Sequence, residues 1–292
     1  MVTDLRIATR GSALALWQAR HVAALLDCET VEVIVRPMGD RDKTTSLSEL
    51  GGQGIFAKEV QAALVEGRAD IAVHAAKDLP ASPSQAVPGL VLAAVLARDD
   101  PRDVLVGHSL EEMAPGATVA TGSPRRRMLV AALRPDLVFR DLRGNVPTRL
   151  ERIPEGGAVV TAMAALRRLG LEHRVAQAFD PEVFVPQVGQ GAIAVECRGD
   201  DDAALVALGR MDHVPSRLAV EAERAWLAHV AGHCDVAVAA HAVVDGSEIR
   251  LIAAMSDQHG GIIRDHKTGS VPRNVGVELA EAMLAVAARV RR

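Results

Sequence analysis

Ala69-Asp70-Ile71-Ala72-Val73-His74-Ala75-Ala76-Lys77-Asp78-Leu79-Pro80 is the stretch on which the reading of the fold turns. Ala69 to Val73 is a short apolar run and reads as a buried strand. A Lys77-Asp78 pair ends it, and Leu79-Pro80 stops regular structure. In an open α/β sheet, ligands bind in the loop beyond a strand's carboxyl end. A cation and an anion side by side are therefore expected at a cleft. The bland alternative is a surface Lys-Asp neighbour pair without chemistry.

On the N-terminal side, Leu5 to Ala8 reads as a strand and Thr9-Arg10-Gly11-Ser12 as the turn after it. A helix follows, with Ser12 as N-cap and Leu14, Trp17, Val22 and Leu25 on one face. Val31 to Val35 is a strand, and Met38 to Glu49 is polar and aperiodic, as a loop is. Gly51-Gly52-Gln53-Gly54-Ile55-Phe56 then opens a helix to Glu66. The glycine cluster lacks the Gly-Lys-Ser/Thr ending of a P-loop, so it reads as a hinge or lid.

On the C-terminal side, Leu90 to Leu96 is a strand and Asp99-Asp100-Pro101 marks a crossing to a second lobe. Thr118 to Thr121 is a strand that runs into Gly122-Ser123-Pro124-Arg125-Arg126-Arg127 and a helix to about Leu133, with Pro124 at its first position. This repeats the chain's opening: Ala8-Thr9-x-x-Ser12 against Ala120-Thr121-x-Ser123. Val138 to Asp141 and Ala158 to Ala162 are further strands. The second of these leads into a helix carrying Arg167-Arg168 and ending at Gly170. After the Gln187-Val188-Gly189-Gln190-Gly191 loop, Ala192 to Glu196 is a strand placed to return to the first sheet. From about Asp212 the pattern changes to a small α+β domain. It has a helix from Ser216 to about Val230, then a hairpin of Val236–Val244 and Glu248–Ala254 around a type I′ signal at Asp245-Gly246. A third strand near Ile262 and a last helix with Leu279, Met283, Val286 and Val290 on one face complete it.

Composition narrows the function. At 292 residues the chain is long enough for two or three domains. Aromatics are 2% with no Tyr, which disfavours base-stacking surfaces for single-stranded nucleic acid. A net charge of −4 without a basic tail disfavours generic nucleic-acid binding. Of the 33 basic residues four are lysines (Lys43, Lys58, Lys77, Lys267), so anions here meet guanidinium forks. No signal peptide or membrane span is read. Three cysteines (Cys28, Cys197, Cys234) fit a reduced, cytoplasmic setting better than a disulfide framework.

Arg10, Arg125, Arg126, Arg143, Arg149 and Arg168 all fall at or just beyond predicted strand ends or helix starts. With helix N-termini at Ser12 and Ser123, they predict a cleft for a ligand with several carboxylates or phosphates. Cys234, between Gly232-His233 and Asp235, suits an exposed reactive thiol. His229, His233, Cys234 and His241 form no credible zinc set, because Gly232 breaks the helix that would align the first two. Cys197 reads as a core thiol at a strand end, and Cys28 as helix filler.

Arg6-Ile7-Ala8-Thr9-Arg10 with Ser12, Val73-His74-x-x-Lys77-Asp78-x-Pro80, Ser123-x-Arg125-Arg126, Leu142-Arg143-Gly144-Asn145-Val146 and Val188-Gly189-Gln190-Gly191-Ala192 occur in the order found in one family. In them the chain resembles the porphobilinogen deaminases. The resemblance implies an α/β fold of two lobes like type-2 periplasmic binding proteins plus a small α+β C-terminal domain with a three-stranded antiparallel sheet. The expected division is residues 1–95 with 193–211, residues 96–192, and residues 212–292. It implies hydroxymethylbilane synthase activity: four porphobilinogen units are added with loss of ammonia to a covalently held dipyrromethane, and the linear tetrapyrrole is then released by hydrolysis. Cys234 would hold that cofactor through a thioether, and Thr121, Ser123, Arg125, Arg126, Arg143 and Gly144 would bind it. Arg10, Ser12, Arg149 and Arg168 would bind substrate. Asp78 would stabilise the cationic azafulvene left when ammonia departs, with Lys77 beside it. The resemblance also implies a cytoplasmic monomer acting on a small molecule, with no metal, nucleic-acid or membrane partner. Around the cysteine the chain departs from the family, which usually has Gly-Gly-Cys where His233 now precedes Cys234, and often a proline at the place of Ala237. The rival readings are a two-lobed anion-binding protein without catalysis and a cysteine-dependent amidohydrolase.

Overall fold

A computed structural model describes residues 4–36, 57–230, 237–257 and 259–290. The expected loop at Met38–Glu49, the glycine cluster at 51–56 and the Cys234 loop lie outside them. Contacts divide the chain into two compact units: residues 1–98 with 192–217, and residues 99–191 with 218–292. The crossing expected at Asp99-Asp100-Pro101 falls where the chain leaves the first unit, and the C-terminal segment groups with the second.

In the first unit, strands β1 (Asp4–Arg10), β2 (Glu29–Val35), β3 (Ile71–Ala75), β4 (Leu90–Val95) and β10 (Ile193–Arg198) form one sheet in the order β2-β1-β3-β10-β4. β1 runs parallel to β2 and β3, and β10 is antiparallel to both β3 and β4. The predicted return of the Ala192–Glu196 strand to this sheet is therefore what is found. Strand neighbours alternate between faces. Ile7, Ile71, Val73 and Val195 pack with Ala19 and Val22 of helix α1 (Ala13–Ala23) and with Ala204 and Leu208 of α6 (Asp202–Gly209). Ala8 and Ala72 pack with Val60, Ala63 and Leu64 of α2 (Lys58–Val65).

The face predicted for α1 needs correction. Its buried residues are Ala15, Gln18, Ala19 and Val22, while Trp17 and Leu25 are exposed. Small side chains let this helix lie close on the sheet, and the bulky ones turn outward. Cys28 lies beyond α1 rather than in it.

The second unit repeats the plan. β6 (Thr118–Ala120) is parallel to β7 (Val138–Arg140) and β8 (Ala158–Ala162), and β5 (Asp103–Gly107) is antiparallel to β8 and β9 (Val175–Ala178). The order is β7-β6-β8-β5-β9. β5 and β9 were not among the predicted strands. β5 sits directly after the Asp-Asp-Pro break, and its buried acid, Asp103, spoils the apolar pattern. Helices α3 (Pro124–Leu133), α4 (Val146–Leu150) and α5 (Met163–Arg168) follow β6, β7 and β8.

The C-terminal part is an antiparallel sheet of β11 (Val238–Asp245), β12 (Glu248–Ser256) and β13 (Ile262–Gly269), with α7 (Val214–Val230) and α8 (Pro272–Val290). Asp245 pairs with Glu248, and Gly246 has φ +56 while no described non-glycine residue has positive φ. That is the pattern of a type II′ turn, not the expected type I′, which needs both central residues at positive φ. α8 buries Val275, Leu279, Met283 and Ala287, whereas Val286 is exposed, so the expected face is shifted by one position at its end. Gly276 lets α8 cross α7 at close range: a Cβ there would stand 2.4 Å from the Ala222 carbonyl oxygen.

Candidate active site

In the first unit the site grows from adjacent strand ends. β3 does not run into an open loop, as expected, but into a 3-10 turn, Ala76–Asp78. The turn is tied down where Ala76 N–H donates to Ala192 O at 3.0 Å, just before β10. β1 ends at Arg10, whose Nη1 lies 3.5 Å from Asp78 Oδ2. Residues 68 positions apart are thus brought together because β1 and β3 are parallel neighbours. Both side chains stay partly open to solvent, 20% for Arg10 and 29% for Asp78. Ser12 caps α1 by accepting from Ala15 N–H at 3.3 Å. Lys77 is half-buried on the same turn.

In the second unit Thr121 is buried after β6, and its hydroxyl accepts from Ser123 N–H at 3.2 Å. Ser123 caps α3 by accepting from Arg126 N–H, and Pro124 opens the helix as predicted. Arg125 and Arg126 follow, and the structure gives both a partner that the sequence had hidden. Both are buried on Asp103, which is itself 0% exposed. Arg125 donates to Asp103 Oδ2 at 2.8 Å and Oδ1 at 3.1 Å, and Arg126 Nε donates to Oδ1 at 2.8 Å. Arg125 Nη1 also reaches the Val185 carbonyl and Arg126 Nη1 the Val160 carbonyl, while Arg125 Nε is buried without a hydrogen-bond partner. Burial pushes the Arg126 guanidinium below its usual value, against the pull of Asp103. Two cations share one carboxylate, so this pocket of the unit keeps a surplus positive charge.

Arg143 follows β7 in a turn that only glycine suits at its next position: Gly144 has φ +111, and a Cβ there would crowd Thr148 at 3.2 Å. Arg143 is half-buried, and its Nη2 is shielded from solvent without a hydrogen-bond partner. Asn145 caps α4 through Thr148 N–H, and Arg149 Nε donates to Gly144 O at 2.7 Å. Arg168 is buried, with Nη2 donating to Gly191 O at 2.5 Å and Nε 3.4 Å from Asp99 Oδ2. Burial lowers its pKa, again against the pull of a carboxylate, Asp99. The arginines expected to line one anion site are thus of two kinds. Arg126 and Arg168 bond within the protein, while Arg143, and Arg125 beside its bonds to Asp103, each keep a buried N–H to offer.

Cys234 and His233 lie outside the described residues. Cys197 is fully buried, as expected, and burial pushes its thiol up to about 11. Among the described residues no group of three or more His, Cys, Asp and Glu side chains could hold a metal ion.

Residues 5–206 match the family model "Porphobilinogen deaminase, dipyromethane cofactor binding domain", and residues 217–285 match "Porphobilinogen deaminase, C-terminal domain". The chain belongs to the porphobilinogen deaminase family. A relative from Sorangium cellulosum (strain So ce56), a porphobilinogen deaminase, is 44% identical over 274 residues, covering 90% of each chain. Among solved structures, the chain is similar to a TRAP periplasmic solute binding protein from Desulfovibrio salexigens (TM-score 0.41, 11% identity, 73% of each chain). It is also similar to an ABC transporter protein from Parabacteroides distasonis (TM-score 0.42, 13% identity, 78% of this chain and 74% of that one).

The deaminase cofactor, a dipyrromethane, carries several carboxylates. Two observations on the second unit fit such a group. The Asp103 pocket holds more guanidinium than carboxylate, and Arg143 has a shielded N–H with nothing to donate to. A buried donor without an acceptor is costly, and an incoming carboxylate relieves it. Asp103 is the site residue that sequence reasoning missed. An acid 22 residues before Arg125 gives no local signal of the pairing.

Proposed function

We propose that Asp78 carries the chemistry of this chain's hydroxymethylbilane synthase activity, the deaminative joining of porphobilinogen units. The observation that supports it is the partly exposed Asp78 carboxylate in the turn after β3, held 3.5 Å from Arg10. As ammonia leaves the aminomethyl group of porphobilinogen, positive charge spreads into the pyrrole ring. A fixed carboxylate facing the ring N–H opposes that charge where water is excluded, an effect typically worth about 3–4 kcal/mol per group in other enzymes. Arg10 orients the carboxylate, and Lys77, on the same turn, contacts substrate. Arg10, Ser12, Arg149 and Arg168 take the acetate and propionate arms of the incoming substrate.

Cys234 holds the dipyrromethane through a thioether, and Thr121, Ser123, Arg125, Arg126, Arg143 and Gly144 receive its carboxylates. When bound, that group supplies the primer to which the first substrate unit is joined. Family membership sets aside the two rival readings, an anion-binding protein without catalysis and a cysteine-dependent amidohydrolase. We also propose three domains, residues 1–95 with 193–211, 96–192 and 212–292. The separate antiparallel sheet and the C-terminal family model support that division. A cytoplasmic monomer without nucleic-acid or membrane partners belongs to the same reading. No helix among the described residues is long and apolar enough to cross a membrane.

The test is Asp78→Asn. The variant should fold and carry the cofactor, seen as added intact mass, yet turn over porphobilinogen at least about a hundredfold more slowly. Near-normal turnover would remove Asp78 from this role.

A further inference from the structure

Near the end of β3, three polar side chains from three elements meet. Glu196 on β10 is about nine-tenths buried, and His74 on β3 and Gln61 on α2 are still less exposed. Gln61 Nε2 donates to both Glu196 oxygens, at 3.1 and 2.9 Å. His74 Nε2 stands 3.1 Å from Glu196 Oε2. Apolar side chains lie on the same face of the sheet: Val60 and Leu64 on α2 and Ala72 on β3. A carboxylate is rarely kept this deep by packing alone, because burying it costs several kcal/mol unless donors compensate. None of the residues assigned to substrate or cofactor is among the three.

The placement has a consequence for the turn. His74 is the penultimate residue of β3, and the 3-10 turn carrying Lys77 and Asp78 starts two residues later. β10 fixes the same turn from the other side, through Ala192 O and Ala76 N–H. Glu196 therefore grips the end of β3 from the strand that also anchors the turn, and through Gln61 it binds α2 to both. We propose that Glu196 is a positioning residue of the deaminase reaction. Acting through His74, it sets where the β3 end, and with it the Asp78 carboxylate, stands. The inference rests on the Asp78 reading above.

Glu196→Gln is the first test. Because Gln61 Nε2 donates to both oxygens, a Gln61 N–H meets an NH2 group whichever way the new amide turns. The cofactor-loaded variant should lose about tenfold or more in kcat with KM for porphobilinogen within about twofold, because small misplacements of a reacting group cost rate rather than affinity. The double variant Gln61→Glu/Glu196→Gln restores a carboxylate–amide pair at the same place but moves the charge away from His74. It should recover the Tm lost in Glu196→Gln and leave kcat low. Recovery of both would mean that the pair is packing only, and would overturn the proposal, as would an unchanged kcat in Glu196→Gln. If Glu196→Gln does not fold, His74 decides. His74→Gln keeps a polar N–H beside Glu196 and should stay within a few-fold of the parent kcat, while His74→Leu should fall about tenfold. Equal kcat in these two variants refutes the proposal. Asp78→Asn is run beside them. Near-normal turnover there removes the Asp78 reading, whereas its loss with unchanged turnover in Glu196→Gln or His74→Leu removes only the Glu196 inference.

Discussion

Replacing Asp103 by Asn should be among the most damaging conservative changes in this chain. Asp103 has no solvent exposure, and its two oxygens take three N–H bonds from Arg125 and Arg126, at 2.8, 3.1 and 2.8 Å. Arg125 and Arg126 are themselves buried, and a guanidinium does not escape by losing its proton. The Asn variant leaves two buried cations with no opposing charge, and it turns an NH2 group toward at least one guanidinium donor. Breaking a buried ion pair from one side costs about 3–5 kcal/mol, a large share of the roughly 5–15 kcal/mol that holds a protein folded. The carbonyls of Val185 and Val160 still accept from the two arginines, which argues for the lower half of that range. For a domain of this size each kcal/mol moves Tm by about 2–4 °C, so a fall of about 6–16 °C is expected in differential scanning calorimetry. A companion variant that removes all three charges, Asp103→Leu/Arg125→Leu/Arg126→Met, should be far closer to the parent in Tm, since apolar replacement of a buried cluster is often neutral. An Asp103→Asn protein melting within about 1 °C of the parent would refute the reasoning. The carbonyls alone would then suffice for both guanidiniums.

Two further outcomes test other parts of the molecule. Hydrogen bonds from Arg6 hold the Asp70 carboxyl below its ordinary value despite partial burial, so the unfolded chain binds this proton more readily than the folded one. The stability it contributes is present above the ordinary Asp range, about pH 4, and is lost as pH falls through the lowered folded value; Asp70→Asn should flatten the acid limb of a Tm-against-pH curve, and an unchanged limb would count against the pair. Gly276→Ala gains about 1 kcal/mol of helix propensity, but its Cβ would meet Ala222 O at 2.4 Å and Trp226 N at 2.7 Å on α7. Overpacking against backbone costs about 1–3 kcal/mol or more, so Tm should fall, and a rise would mean that the two helices separate freely.

Most strands that carry site residues are legible in the chain. Runs such as Ile71–Val73 and Val159–Val160 are apolar because both faces of these sheets are covered. Ser12 and Ser123 announce helix starts, and the structure uses each as a cap; the cap at Asn145 was not read from the chain. Helix faces were harder to read. α1 turns alanines inward and Trp17 outward, so residue size misleads where close approach to a sheet decides burial. The hairpin turn differed for a similar reason: Asp245-Gly246 signals a turn, but Ser247 decides its type by declining positive φ.

Motif order along the chain determined the family, and local patterning determined the strand ends that carry Arg10, Asp78, Ser123 and Arg143. Tertiary structure alone decided which charges meet. Arg10 reaches Asp78 because parallel strands end side by side, Asp103 takes Arg125 and Arg126 from a strand that local pattern conceals, and Gln61 reaches Glu196 across 135 residues. The physical reason is range. Backbone propensity and hydrophobic period act over a few residues, whereas a buried charge is satisfied by whatever the sheet order places within about 3 Å of it.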